Sequence, residues 1–243
     1  MKWIKPDWPA PPPIQAAVTL RTGGVSTGAY ASLNPAGHVN DYPEHVLENR
    51  RIIRNRLQLP AEPVWLRQVH GVRVVKADTV TTPETADAAY TDQSGVVCAV
   101  LTADCLPVFF CGDQGRVIAV AHAGWRGLQA GILSETLKHI QCGSVQVWLG
   151  PAIGPEQFDV GDEVRDAFVS ANPAAQSAFS AVRPGKWLAD IYRLARIDLA
   201  ESGVEQIYGG GFCTVTDRTR FYSYRRDGAA TGRMASLIWR TEA

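Results

Sequence analysis

Three side chains suited to metal binding or nucleophilic attack each follow an apolar run. His70 closes VWLRQVH, Cys105 follows VVCAVLTAD, and His122 closes VIAVAH. Runs of this kind read as strands buried on both faces, so each residue sits just past a strand end, and Gly71 and Gly124 let the chain turn away at once. If these strands are neighbours in one sheet, two imidazoles and a thiol converge on one point. Such a trio is a catalytic zinc set with a fourth position left for water or substrate, and water bound there has its pKa lowered to roughly 7. The same trio allows a metal-free reading, with Cys105 as nucleophile and a histidine as its base, and an inert one, with Cys105 in the core. Blue-copper centres also use these ligands, with a weak axial methionine. A multicopper oxidase would need a further histidine-rich cluster, and the chain has 5 histidines in all. A structural zinc site usually takes four protein ligands, one more than this trio supplies.

Two further stretches carry binding chemistry. AHAGWRG places Arg126 directly before a predicted helix, where a guanidinium and free backbone N–H groups suit an anion; a surface salt bridge is the competing role. FYSYRRDG, read as a strand, spreads Tyr222, Tyr224, Arg225 and Arg226 over two faces, suited to stacking on a base or sugar or to an ordinary edge. Cys98, Cys111, Cys142 and Cys213 read as core residues. His38 and His45 read as loop or surface residues, and His139 as a helix-end residue favoured by the dipole. There is no GxxxxGK[ST], GxGxxG, HExxH or CxxC, which removes nucleotide-driven motors, nicotinamide enzymes and locally spaced zinc signatures.

The elements that must position these residues follow from periodicity. Strand-like runs are Ile14 to Leu20, Val64 to Val69, Val72 to Ala77, Val96 to Leu101, Val117 to Ala121, Val145 to Leu149 and Met234 to Trp239, rich in Val, Ile and aromatics. Helical segments are Pro43 to Leu57, Leu128 to Ile140, Asp162 to Ser170 and Trp187 to Glu201, the first opened by proline and the last stopped by Gly203. The elements do not alternate regularly, which predicts an α+β fold. Residues 1–13, with prolines from Pro9 to Pro13, read as an extended arm, and residues 14–243 as one continuous domain. The glycine- and asparagine-rich stretch Arg21 to Asp41 is long enough to be a functional loop.

With 24 basic and 24 acidic residues, the chain has no excess charge for a phosphate backbone or an anionic membrane surface, so neither nucleic acid nor membrane is an expected partner. A proline-broken start, no membrane-length apolar run and an odd, unpaired set of 5 cysteines point to a reducing, cytoplasmic setting.

RTGGVS, SLN, ENRR, WLRQVHG, DCLPV, AHAGWRG, WLGPAIGP, FDVGDEVRDAF, FYSYRRDG and TGRMAS occur in this order from Arg21 nearly to the end of the chain. In them the chain resembles the YfiH-like laccase-domain family, once labelled polyphenol oxidases and also described as purine nucleoside phosphorylases. The resemblance implies a layered α/β/β/α fold and His70, Cys105 and His122 as ligands of Zn2+, with Cu2+ as the alternative. It implies phosphorolysis of adenosine, inosine, guanosine and methylthioadenosine, with adenosine deamination as a side reaction. A role in removing wrongly built peptidoglycan precursors is also attached to bacterial members. Within that picture Arg126 is the expected phosphate partner, Asn34 and Arg225 the expected sugar or base contacts, and Gln68 and Asp104 the residues that orient an imidazole or hydrogen-bond the site. One position departs from the family pattern: Ala36 stands in SLNPAGHVND where a glycine is usual.

Overall fold

Side-chain alternation along the central strands decides the layering in the computed structural model, which describes residues 1–140 and 143–242. The first half contains β1 (Trp3–Ile4), β2 (Ile14–Thr19), α1 (Pro43–Leu57), β3 (Val74–Lys76), β4 (Ala88–Thr91), β5 (Val97–Thr102), β6 (Leu106–Gly112) and β7 (Val117–Ala123). The second half contains α2 (Trp125–Gln129), α3 (Ile132–Lys138), β8 (Val145–Leu149), β9 (Asp159–Gly161), α4 (Asp162–Ala171), β10 (Phe179–Arg183) and β11 (Lys186–Ala189). It closes with α5 (Ile191–Glu201), β12 (Gln206–Gly209), α6 (Tyr224–Asp227) and β13 (Met234–Arg240).

An antiparallel sheet runs β1-β2-β13-β5, and a mixed sheet runs β12-β8-β6-β7-β4-β3. A small antiparallel sheet, β10-β11-β9, stands apart from both. In β6, Phe109 and Cys111 face the four-stranded sheet and pack with Val18, Val100 and Ile238. Their neighbours Val108 and Phe110 face the other way, onto Leu133, Leu137, Leu194 and Leu199 of α3 and α5, as the two-residue strand period requires. The outer face of the four-stranded sheet, through Ala17, Ala99, Leu101 and Leu237, is covered by Ile53 of α1 and by Leu33. The order of layers is therefore helix, sheet, sheet, helix, the α+β arrangement expected from the sequence. No helix among the described residues is long and apolar enough to cross a membrane.

Several local expectations are corrected. Val64 to Val69 makes only isolated bridges, Val64 to Cys98 and Arg67 to Thr85. Strand β6, absent from the expected strands, lies in the interior of its sheet although it contains Pro107. Pro107 and His122 face each other, and His122 donates its N–H the other way, to the Asp87 carbonyl at 2.7 Å. The missing N–H of Pro107 therefore takes no rung out of the β6·β7 ladder. The predicted helix Trp187 to Glu201 begins at Ile191, because Asp190 caps it by accepting the Arg193 N–H at 3.0 Å; Trp187 belongs to β11. The predicted helix Leu128 to Ile140 is two helices, α2 and α3, separated at Gly131. FYSYRRDG holds no strand: Ser223 caps the short helix α6. Cys98 and Cys111 lie in the core as expected, whereas Cys213 is half-buried and takes the Gly154 N–H at 3.3 Å. Cys142 lies outside the described residues. The start of the chain is tied down at two points, by β1 against β2 and by the buried Trp148 indole donating to Asp7 at 2.6 Å.

Phe109 is fully buried between the sheets and meets Trp148 edge-on, ring centroids 5.5 Å apart. Phe109→Ala is expected to lower stability by about 3–5 kcal/mol in urea unfolding, the ordinary cost of an aromatic deleted from a packed core.

Candidate active site

Cys105 immediately precedes β6, His122 is near the end of β7, and His70 comes from the connection that leads into β3. Their ligand atoms all lie within 4.8 Å of one another. The His70 Nε2 to Cys105 Sγ separation is 3.7 Å, against about 3.4–3.7 Å for two edges of a tetrahedron built from zinc–nitrogen and zinc–sulfur bond lengths. The two imidazole rings stand edge to face, centroids 4.7 Å apart.

Asp87, just before β4, organises this cluster. Its buried carboxylate accepts the backbone N–H of His70 at 2.9 Å, of Gly71 at 2.7 Å and of Val69 at 3.3 Å, and pairs with Nδ1 of His122 at 2.9 Å. Burial works to raise its carboxyl, and the hydrogen bonds from His122, Gly71 and Val69 outweigh that, so it is held below the ordinary carboxylate value. With Nδ1 engaged, His122 is left its Nε2 for the shared point. His70 has φ of +60°, a conformation costly for a residue with a Cβ, and the Asp87 hydrogen bonds on either side of it hold it there.

The donor set suits a metal. Burial pushes the Cys105 thiol up, but the His122 charge and hydrogen bonds from both imidazoles outweigh it and bring it down to about 6. Burial lowers His122 in turn, and Cys105 and Asp87 more than reverse this. The sulfur is thereby held as the thiolate a metal needs. Space is reserved as well. A Cβ on Gly124 would fall 2.6 Å from Cδ2 of His70 and 3.1 Å from the Cys105 sulfur, so only glycine lets the chain pass behind the cluster.

The three residues open onto a cavity of about 480 Å³ that His38, Gln68, Trp125, Arg126, Tyr224, Arg225 and Arg233 also line. Gln68 clamps β5 with both ends of its amide, accepting the Leu101 N–H at 2.7 Å and donating to the Leu101 carbonyl at 2.8 Å. Asp104 touches neither imidazole. Its carboxylate accepts the Thr214 hydroxyl, the Ser223 hydroxyl at 3.1 Å and the Arg225 N–H at 2.6 Å, fastening the start of α6 beside Cys105. Arg225 donates Nη1 to the Gln157 and Asp159 carbonyls, and Arg126 is exposed, its guanidinium 4.3 Å from the Trp125 ring centroid. Asn34 is fully buried behind the cavity wall. It donates to Asp41 at 2.9 Å and accepts the N–H groups of Ala36 at 3.1 Å and Arg233 at 3.0 Å. Ala36 is itself buried without a left-handed backbone, so alanine takes the family's glycine position without strain.

Asp87, Trp125, Arg233 and His38 are site residues that the sequence reading missed. Asp87 carried one signal, an acid in the otherwise apolar context TADAAY with no cation beside it. Asp87→Asn is expected to weaken metal binding by about 10- to 100-fold in a chelator competition. Gly124→Ala is expected to leave the fold intact and abolish stoichiometric binding, measured by metal analysis beside circular dichroism.

A family model described as multi-copper polyphenol oxidoreductase laccase matches residues 15–241. The chain is 53% identical over 240 residues to a purine nucleoside phosphorylase of Pseudomonas aeruginosa, with 98% of each covered. It is 51% identical over 242 residues to the purine nucleoside phosphorylase YfiH of Escherichia coli, again with 98% of each covered. Among solved structures, a Neisseria meningitidis protein matches with a TM-score of 0.96 at 47% identity, covering 100% of both chains. YlmD from Geobacillus stearothermophilus matches at 0.89 and 32% identity, covering 100% of this chain and 97% of that one. Likeness over the whole length, in sequence and in fold, means that the chain belongs to the YfiH-like laccase-domain family.

Proposed function

We propose that this chain is a zinc-dependent purine nucleoside phosphorylase, converting adenosine, inosine, guanosine and methylthioadenosine with phosphate to the free base and ribose 1-phosphate. The observation that carries the reading is the His70–Cys105–His122 cluster, opening onto a cavity of about 480 Å³ that guanidinium groups and aromatic rings also line. Relatives about half identical to it bear the phosphorylase name. Zinc held by these three residues would supply a Lewis acid for an oxygen of phosphate or water.

The chain's own residues do the positioning. Phosphorolysis breaks the bond between ribose and base while positive charge builds on the sugar, so orientation of the two reactants and electrostatic support of the anion carry the rate. Trp125 and Tyr224 offer rings to the purine, Arg225 is placed for the sugar or base, and Arg126 meets phosphate at the rim. Asn34 acts through the loop it holds rather than by touching the nucleoside. Adenosine deamination, with water in place of phosphate, would use the same site as a side reaction.

One observation favours a second reading. Cys105 hydrogen-bonds His122, and His122 pairs with Asp87, the order of groups in a cysteine hydrolase. A multicopper oxidase finds less support, since His45 pairs with Asp41 and His139 stacks on Tyr90, away from the cluster. Met234 gives its sulfur to the Tyr222 N–H rather than to a copper.

Wild-type protein is expected to release base from adenosine and inosine only when phosphate is present, read by chromatography. Cys105→Ala is expected to fold and to lose at least about a hundredfold in rate. Cleavage that ignores phosphate would overturn the phosphorylase reading. Full activity in a chelated sample that is abolished by stoichiometric alkylation of Cys105 would establish the cysteine hydrolase instead.

A further inference from the structure

The cavity beside the cluster contains a guanidinium that the protein leaves without a counter-ion. Arg233 follows Gly232 and precedes β13. Its own N–H is fixed by Asn34, and its Nη1 donates to the carbonyls of Thr231 at 2.8 Å and Gly232 at 3.0 Å. Those bonds aim the side chain and leave Nε and Nη2 free. No carboxylate among the described residues forms an ion pair with it. Asp104, which acts on it through space, has spent its oxygens on Thr214, Ser223 and Arg225. Burial holds the guanidinium below its ordinary value, with the charges of Cys105 and Asp104 acting the other way through space, so a partly desolvated cation is left without an ion-pair partner among the described residues.

The support behind it is built. A Cβ on Gly232 would lie 2.6 Å from the Tyr222 ring, so the strand entrance is pressed against a buried aromatic. Thr102, across the ladder from Met234, also lines the cavity, and its buried hydroxyl has no protein partner. Arg126 differs on each count, being exposed and resting on its own neighbour's ring. Arg225 gives its Nη1 to two carbonyls as Arg233 does, and differs in being exposed.

We propose that Arg233 is the anchor for the phosphate co-substrate, a binding residue that seats the anion inside the cavity beside Cys105. The proposal rests on the phosphorylase reading of this site. Of the two reactants in that reading the nucleoside is neutral and phosphate is an anion, so an unpaired and partly desolvated cation discriminates between them by charge. A guanidinium fork with two open positions meets two oxygens of a tetrahedral oxyanion at once. Arg126 then receives the anion at the rim and Arg233 retains it.

The test is calorimetric binding of inorganic phosphate to the metal-loaded protein, alongside steady-state kinetics with inosine, for wild type, Arg233→Met, Arg233→Lys and Arg126→Met. Arg233→Met is expected to raise the phosphate Kd by about thirtyfold or more, the order of effect of a lost charge-assisted hydrogen-bond pair. The KM for phosphate should rise in parallel, with the KM for inosine and the metal content unchanged. Arg233→Lys keeps the charge without the fork and should fall between, while Arg126→Met, at the rim, should raise the Kd by less than Arg233→Met does. Phosphate-dependent cleavage with an unaltered phosphate Kd in both Arg233 variants would overturn the anchor and leave the phosphorylase reading standing. A wild type that binds no phosphate and cleaves without it would overturn both. If Arg233→Met fails to fold, Arg233→Lys decides: a Kd equal to wild type would overturn the anchor.

Discussion

The Asp87 carboxylate is the fixed point of the molecule. Four donors from two separate parts of the chain, three amides around His70 and the ring of His122, meet on its two oxygens. A buried carboxylate is unfavourable by itself and becomes favourable when every lone pair is used. It therefore locks the connection that carries His70 to the end of β7, and the two histidines hold their relative positions through protein hydrogen bonds alone. Asp104 repeats the device on the other side of Cys105, where its oxygens fasten residues 214, 223 and 225. Two buried acids thus hold two distant loops against one sheet edge.

This division of labour accounts for what the sequence made legible. Apolar runs leading to Cys105 and His122 could be read because burial leaves a local trace, the α+β class followed from the irregular order of strands and helices, and the layering came with the family resemblance. Asp87 could not be read the same way, since its function is defined by partners 16 and 35 residues distant. Pro107 is tolerated inside β6 because proline weakens a ladder only where its N–H is required, and the facing of Pro107 and His122 does not require it. Arg233 was hidden for a third reason. Nothing in TGRMAS says that its guanidinium lacks an acid, because that is a property of the space around it.

The laccase description of the family and the phosphorylase name of the relatives start from the same three ligands. Two histidines and a cysteine are compatible with copper and with zinc, so the trio alone does not choose. Around them the cavity wall adds guanidinium groups, aromatic rings and a third histidine, His38, with no methionine among its described lining residues. The surroundings of a metal site, more than its ligands, set the class of molecule that can approach it.

Strand β13 lies between β2 and β5, in the interior of the four-stranded sheet. Residues 14–19 and 97–102 therefore have no direct contact as strands until residues 234–240 have been synthesised and inserted between them. During translation the first sheet exists as two unpaired edges, and the Arg233 side of the cavity is absent altogether. Pairing of such long sequence separation is slow and leaves apolar strands open meanwhile. A chain cut before residue 234 would keep most of its core and leave β2 and β5 without the strand that joins them.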